Sequence, residues 1–385
     1  MRILEVNKFY YPRRGAERHF LDLVSLLRSE GHEVGIFAMK DPKNVPSPYE
    51  RYFVSAVGYN DHDSTWRQKI VGMGRLFWSF EARANMRRLL RDFDPEIAHI
   101  HNAYHQLSFS FLSLLKKKRI PVLMTVHDYH MISPDKDEYY PKVGSRYWRF
   151  LFVKKYAFPK RLLLVLKSYW ESWLGVRDMI DTYIAPSWFV KKILVSGGIP
   201  ESKIAVIPHF VMPAPSASET AEKPAQPYAL YFGGVTEEKN ILELAHFFDR
   251  SGFQLLLAGQ KTFPLPESPW VKYVGEKTSE DITKLIRGSA FVVSASRLPE
   301  TFGLIILEAN REGKPFFGYA TGAFPELVTN GKNGWLGKDR VEFESYITRF
   351  IQGDISCEKE EVIRTETLSR FGATHFLEEI FKLIP

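Results

Sequence analysis

The chain is 385 residues long, more than one hydrophobic core normally supports, so two domains of roughly 150 to 200 residues each are expected. Its 45% hydrophobic and 25% charged residues exclude the disordered and membrane-spanning classes. A single cysteine, Cys357, excludes an internal disulfide or a multi-cysteine metal centre and fits a reducing, cytoplasmic compartment. A formal net charge of +7 admits polyanionic partners, whether nucleic acid, phosphate esters or anionic lipid.

The opening "MRILEVNKFYYPRRGAE" has an apolar run too short for a signal-peptide core and no small-residue cleavage site, so it reads as a first strand. Next, "AERHFLDLVSLLRSEGHEV" repeats apolar residues at helical spacing and stops at Gly-His before the strand "VGIFAM". "PEIAHIHNA" and "IPVLMTVHDY" predict buried strands separated by a helix over "QLSFSFLSLLKKK", and "DTYIAPS" predicts another strand. From Pro213 to Pro227, "PAPSASETAEKPAQP" has no apolar period and reads as a linker. Alternation then resumes, with "YALYFGG", "GFQLLLAG", "VKYVGE", "AFVVSAS" and "KPFFGYA" as strands and "NILELAHFFDR" and "EDITKLIRGS" as helices. The pattern predicts an α/β chain with a helix-covered parallel sheet in each half. The expected division is 1–210, a linker over 211–227, 228–365, and a helical segment over 366–385.

Ligands of such sheets sit outside the carboxyl ends of the strands. The candidates fall on those loops: Gly15 after the first strand, His127 after "VLMTV", Gly233 and Lys239 after "YALYF", and Glu300 after "AFVVSAS". In "SRLPETFGLIILEANREGKPFFGYATGAFPELV", Thr301, Phe302 and Gly303 open a helix. Its first amides have no internal partner and carry positive dipole character, which makes the turn an anion seat. Glu300 and Glu308, eight positions apart, lie on roughly the same side of that helix. Such a pair suits a cation, a hydroxyl-rich ligand, or nothing beyond a cap and a solvated glutamate.

The runs "ETFGLIILE", "GKP", "TGAFPE" and "NGKNGWL" together resemble the C-terminal signature of the retaining GT-B glycosyltransferases of family 4. A looser likeness extends over "FYYPRRGAERHFLDLVSLLRSEGHEV", "DPEIAHIHN", "VHDYH", "YIAPSWFVKKILVSGGIPESKIAVIPH" and "YFGGVTEEKN". The resemblance implies two Rossmann-like domains facing across a cleft, with the C-terminal helix crossing back to the N-terminal domain. It implies that Glu308 bonds the nucleotide ribose and that Glu300 and His127 lie near the donor sugar. The amides of Phe302, Gly303 and Leu304, with Thr301, Gly15, Gly233 and Lys239, then hold the donor, and Val274 and Gly275 are candidates for the base. Two positions depart from the family pattern. Gly234 stands where a phosphate-binding Arg is usual, and Arg14 replaces the first of two glycines, so Arg14 or Arg297 is a candidate replacement for the lost charge.

Family relatives generally use no metal, and none is expected here, nor any cofactor beyond the UDP- or GDP-linked sugar. Asp135 and Asp137 in "HDYHMISPDKDEYY" have metal-motif spacing but read as solvated. His99, His101 and His105 read as ordinary polar residues, with His101 or Asn102 able to face an acceptor. The segment 142–171 holds eight Lys or Arg among Trp, Tyr and Phe, and 67–91 repeats the theme. Three readings suit such segments: a core-packed helix with snorkelling bases, a nucleic-acid face, or contact with an anionic membrane surface. The expected function is transfer of a sugar to a hydroxyl of a lipid-linked or polysaccharide acceptor, in the cytoplasm and peripherally on the inner face of the cell membrane, with no nucleic acid involved. The alternative is a catalytically weak sugar-nucleotide-binding or membrane-scaffold protein.

Overall fold

The computed structural model describes residues 1–56, 72, 74–141, 143, 144, 146–213 and 226–384. Most of the expected linker, and residues 67–71, 73, 142 and 145 of the two basic segments, lie outside the described residues. The chain forms two compact units, Met1–Ile207 with Glu379–Pro385, and Pro208–Glu378.

The first unit is built on a six-stranded parallel sheet of order β2-β1-β3-β4-β5-β6. Its strands are β1 (Arg2–Val6), β2 (Glu33–Phe37), β3 (Ile97–Ile100), β4 (Val122–Thr125), β5 (Thr182–Ala185) and β6 (Ile204–Val206). Helices α1 (Gly15–Ser29), α2 (Phe80–Asp92), α3 (Leu112–Lys117), α4 (Phe158–Trp173) and α5 (Trp188–Ser196) accompany it. Phe20, Leu23, Val24 and Leu27 of α1 are buried, the spacing that lays one apolar stripe against a sheet. Ser79 and Ser187 cap α2 and α5 by accepting from the Ala82 and Val190 amides at 3.1 Å, which sets where those helices begin.

The helix expected over 106–118 is shorter than its periodicity predicts. Only Leu112–Lys117 is helical. Ser108 adopts positive φ, at 54°. Its hydroxyl donates to Ser110 Oγ at 2.9 Å and accepts from the Ser79 amide at 3.1 Å. Local serine bonds of this kind compete with the helical ladder.

The second unit repeats the architecture with the order β12-β11-β10-β7-β8-β9, also parallel. Its strands are β7 (Tyr228–Phe232), β8 (Gln254–Ala258), β9 (Val271–Gly275), β10 (Phe291–Val293), β11 (Phe316–Tyr319) and β12 (Gly334–Gly337). Its helices are α6 (Ile241–Ser251), α7 (Ser279–Gly288), α8 (Leu304–Arg311), α9 (Phe324–Leu327), α10 (Arg340–Gln352), α11 (Glu360–Phe371) and α12 (Ala373–Phe381). Tyr228, Leu230 and Phe232 pack into one core while Ala229 and Tyr231 pack into another. Both faces of β7 are therefore covered, which explains its uninterrupted apolar sequence.

Candidate functional site

In each sheet the chain order reverses once, between β1 and β3 in the first and between β7 and β10 in the second. The carboxyl ends of strands at such a reversal diverge and leave room for a ligand. Both reversals are furnished with charged or titratable side chains.

At the second reversal, Lys239 follows β7 and Glu300 follows β10, and the Lys239 ammonium donates to Glu300 Oε1. Both side chains are roughly 30% exposed, at 28% and 31%, so an incoming anion reaches Lys239. Ser296 Oγ lies 3.4 Å from the same carboxylate oxygen. The Glu300 carbonyl accepts from the Ala323 amide at 3.0 Å. Gly322, at φ +58°, lies so close that a Cβ there meets the Glu300 backbone at 2.4 Å. A side chain at that position pushes the Glu300 loop away. Gly303 caps α8 without a side chain, at φ +122°, a conformation other residues rarely adopt. Phe302 anchors the turn, buried edge-on against His209 at 5.0 Å and Phe371 at 6.2 Å. Glu308, about one turn into α8, is 8% exposed.

At the first reversal a carboxylate sits inside the sheet. Glu5 on β1 is wholly buried. Its Oε1 lies 3.1 Å from His99 Nδ1 and its Oε2 lies 3.0 Å from His101 Nε2. His99 Nε2 meets Thr125 Oγ1 at 2.8 Å, and His101 Nδ1 meets His127 Nε2 at 2.9 Å. The register places Glu5 opposite His99, so the strand pairing itself aligns the set. Burial, reinforced by His99, holds His101 well below the usual histidine range. Just beyond the strands, Asn7 Oδ1 accepts from the Asn102 amide at 3.1 Å, and Asn102 Oδ1 accepts from Tyr104 OH at 3.1 Å. Desolvation pushes Asp128 up to about 6 despite Lys8.

Residues 13–214 match the model of Glycosyltransferase Family 4, and residues 216–366 match that of Glycosyl transferases group 1. The chain is a family 4 glycosyltransferase. A curated relative, described as an uncharacterized 41.2 kDa protein in the cps region of Klebsiella pneumoniae, is 24% identical over 272 residues, 65% of this chain. The match spans 66% of that protein, just under two thirds of its length. Among solved structures, Anabaena Alr3699/HepE in complex with UDP and glucose superposes with a TM-score of 0.69 at 17% identity, covering 100% of this chain and 99% of that one. Sucrose-phosphate synthase from Thermosynechococcus elongatus gives 0.68 at 16%, covering 100% and 98%. The lipopolysaccharide outer core galactosyltransferase WaaB gives 0.63 at 15%, covering 100% and 99%. The fold of this glycosyltransferase is thus GT-B, with two Rossmann-like domains.

The structure brings Lys239, Glu300 and the opening of α8 together in the second unit. Gly233 follows β7, its amide donating to the Ala258 carbonyl at 3.0 Å, and Gly275, the last residue of β9, accepts from the Gly259 amide at 2.9 Å. Val274 packs partly buried against the core of that unit. In the first unit, Gly15 opens α1 and Arg14 is its exposed N-cap residue. Arg297 is engaged: its guanidinium donates to Glu243 at 2.9 and 3.1 Å and to Tyr319 OH at 3.2 Å. Lys239, whose partner is a single carboxylate, is better placed to neutralise a ligand.

Two sequence expectations are corrected. Asp135 is not solvated: it is 3% exposed and ion-paired to Lys155 at 2.8 Å, whereas Asp137 is exposed as expected, beside Lys136. His99 and His101 are not ordinary polar residues but members of the Glu5 set, 2% and 1% exposed. Glu5, Thr125 and Glu243 were not singled out. The available signal was two histidines two positions apart on a strand buried on both faces, where a polar side chain demands a partner.

Proposed function

We propose that this glycosyltransferase moves a sugar from a nucleotide-diphosphate sugar to a hydroxyl of a lipid-linked or polysaccharide acceptor, with retention and without a metal. The observation that carries the reading is the Lys239–Glu300 pair at the β7/β10 reversal, beside the uncapped start of α8. Departure of a nucleoside diphosphate needs positive charge already in place where negative charge develops. Lys239 and the opening amides supply it, while Glu300 holds Lys239 until a pyrophosphate competes for it. Glu308 is assigned to the ribose hydroxyls. The UDP, UDP-glucose and glucose bound by Anabaena Alr3699/HepE support a sugar nucleotide as donor. The name of the lipopolysaccharide outer core galactosyltransferase WaaB supports a lipid-linked glycan acceptor. Turnover of UDP- and GDP-sugars with lipid-linked and glycan acceptors tests this reading, with EDTA expected to change nothing and the product keeping the donor's anomeric configuration. Nucleotide binding with no turnover against any acceptor favours a sugar-nucleotide-binding protein instead, the reading to which Gly234 in place of Arg points.

We further assign the acceptor side to an anionic membrane surface. Among the described residues no helix is long and apolar enough to cross a membrane. Helix α4 nevertheless turns Phe158, Leu162, Leu166, Tyr169 and Trp173 outward, with Trp148 and Phe152 exposed before it. Only Val165 and Lys167 of this helix are buried. That disfavours a core-packed helix and suits an interfacial one. Arg146, Lys154 and Lys160 are exposed along the same stretch, positioned to meet anionic headgroups. In 74–91, by contrast, Arg75 is ion-paired to Glu81 at 2.7 Å and Arg83 donates to the Ser110 carbonyl at 2.7 Å, so the membrane assignment rests on 146–173. Flotation with anionic liposomes is expected for the whole protein and is expected to be lost in Phe152→Ser/Trp173→Ser. Protein remaining at the bottom of the gradient contradicts it.

A further inference from the structure

The cations at the two reversals are met differently. Lys8 follows β1 at the first as Lys239 follows β7 at the second. Lys239 is paired with Glu300, whereas the Lys8 ammonium makes no hydrogen bond or ion pair among the described residues. Its backbone is fixed between two strand ends: the amide donates to the Asn102 carbonyl at 2.9 Å, and the carbonyl accepts from the Met39 amide at 3.0 Å. The ammonium lies 4.7 Å from the centre of the Tyr104 ring and 5.7 Å from that of Phe9, and both rings are buried. Ring faces offset only part of the hydration that such a cation gives up. We propose that Lys8 binds an oxyanion carried by the acceptor, a phosphate or a carboxylate, and so selects for acidic acceptors.

The surroundings hold this cation in place and leave it unanswered. Tyr104 donates to Asn102 Oδ1 at 3.1 Å and stacks on His130 with ring centres 4.1 Å apart. His130 in turn meets Lys167 Nζ at 2.9 Å and Glu171 Oε2 at 3.1 Å, and its buried Nδ1 has no hydrogen-bond partner among the described residues. Glu171 is also ion-paired to Lys167 at 2.7 Å, so that carboxylate is committed on α4. Burial lowers the Lys8 amine, and Asp128 and Glu17 oppose that shift without pairing with it. One Asp128 oxygen accepts instead from the His130 amide at 3.0 Å. Arg13 adds a guanidinium 4.5 Å from the centre of the Phe9 ring. Ligands of such sheets bind at the strand ends beside a chain reversal, and an unpaired ammonium there bonds a charged oxygen more strongly than a neutral hydroxyl. On the proposed reading Lys239 serves the donor's diphosphate, which leaves Lys8 for the acceptor.

Selection of the acceptor rests on the proposed transferase reading, but the oxyanion site does not, and its first test needs no sugar. Inorganic phosphate and, separately, acetate are titrated into the whole protein at low ionic strength, followed by amide proton–nitrogen spectra. The expected result is saturable shifts at the Lys8, Phe9 and Tyr104 amides, weakened at least tenfold in Lys8→Met, kept in Lys8→Arg and unchanged in Lys239→Ala. Lys8→Met keeps the apolar stem and removes an ammonium that holds no bond, so its folding is expected to be native. A Lys8-dependent response to phosphate alone marks a phosphoryl group, and one to acetate alone marks a carboxylate. No shift at these amides with either anion, or equal affinity in Lys8→Met, overturns the proposal. Failure of the transferase reading appears elsewhere, as absence of turnover with any acceptor. Where turnover is present, Lys8→Met should raise KM for an acidic acceptor at least tenfold with kcat little changed, and an unchanged KM overturns the assignment of the site to the acceptor.

Discussion

The two sheets reverse their chain order in the same way and furnish the reversal in opposite ways. In the second unit a lysine and a glutamate, each roughly 30% exposed, face each other as a single pair. In the first, a wholly buried glutamate divides its two oxygens between two buried histidines, one of which meets a third. An exposed pair contributes about 0–1 kcal/mol to stability, so a ligand can separate it at little cost. A buried, fully bonded set is costly to disturb. On the proposed reading one reversal exchanges partners and the other holds a geometry, so mutations at the two should separate cleanly.

The largest effect is expected on turnover at the exchanging site. Lys239→Ala removes the cation paired with Glu300 just before α8, and loss of such a preorganised charge is expected to lower kcat by about 10²- to 10³-fold. Its Tm should move by no more than about 3 °C. Steady-state kinetics beside a melting curve checks both, and a large loss of Tm with activity retained per folded molecule reverses the roles of the two sites. Glu5→Ala should do the opposite. Two buried N–H donors lose their acceptor, at about 1–3 kcal/mol each, which lowers Tm by about 4 to 24 °C. Nucleotide affinity of the folded fraction should be unchanged.

The contrast also predicts where acid acts. Burial and nearby cations hold His130 down at about 4, and burial lowers His19, His101 and His105 in the same direction. A histidine lowered in the folded state contributes its full stability above its unfolded value and loses it as pH falls toward the folded value. Asp128 runs the other way. Raised to about 6, it contributes most below the ordinary carboxylate range and loses that contribution as pH rises through its folded value. The histidines prevail, so lowering pH from 7 to 5 should reduce Tm by roughly 5 °C. Hydrogen exchange should show the loosening in the first unit, since all these groups lie there. Uniform exchange over both units counts against that assignment.

Much of this was legible in the sequence because its signals are local. Alternating apolar runs and helical stripes predict parallel sheets, and "ETFGLIILE" places Glu300, Glu308 and an uncapped turn within nine residues. Lys239 meets Glu300 only through the β7/β10 adjacency, which depends on strand order rather than on either local stretch. Glu5 was less visible still, because a single acid in "RILEV" gains meaning only when register sets it against His99, 94 positions away. Strand β12 (Gly334–Gly337) has a glycine at each end, which weakens its strand signal, and no local feature marks β6 as a strand. Arg297 looked available from its loop position, and its engagement comes from Glu243 and Tyr319 on other elements.

The smallest effect is expected where the two kinds of site overlap in character. Glu308 belongs to the exchanging unit, yet it is 8% exposed on α8 and so resembles the buried set. If its carboxylate accepts from the ribose, replacing it by the isosteric amide keeps the volume and one acceptor while removing the charge that strengthens the bond. Glu308→Gln should therefore weaken nucleotide binding by about tenfold, the difference between a charged and a neutral hydrogen bond, with little change in Tm. Calorimetric titration with the free nucleotide isolates this term from the sugar and the acceptor. Unchanged affinity removes Glu308 from the ribose, whereas unchanged affinity together with a fall in Tm like that of Glu5→Ala makes it a structural carboxylate of the holding kind.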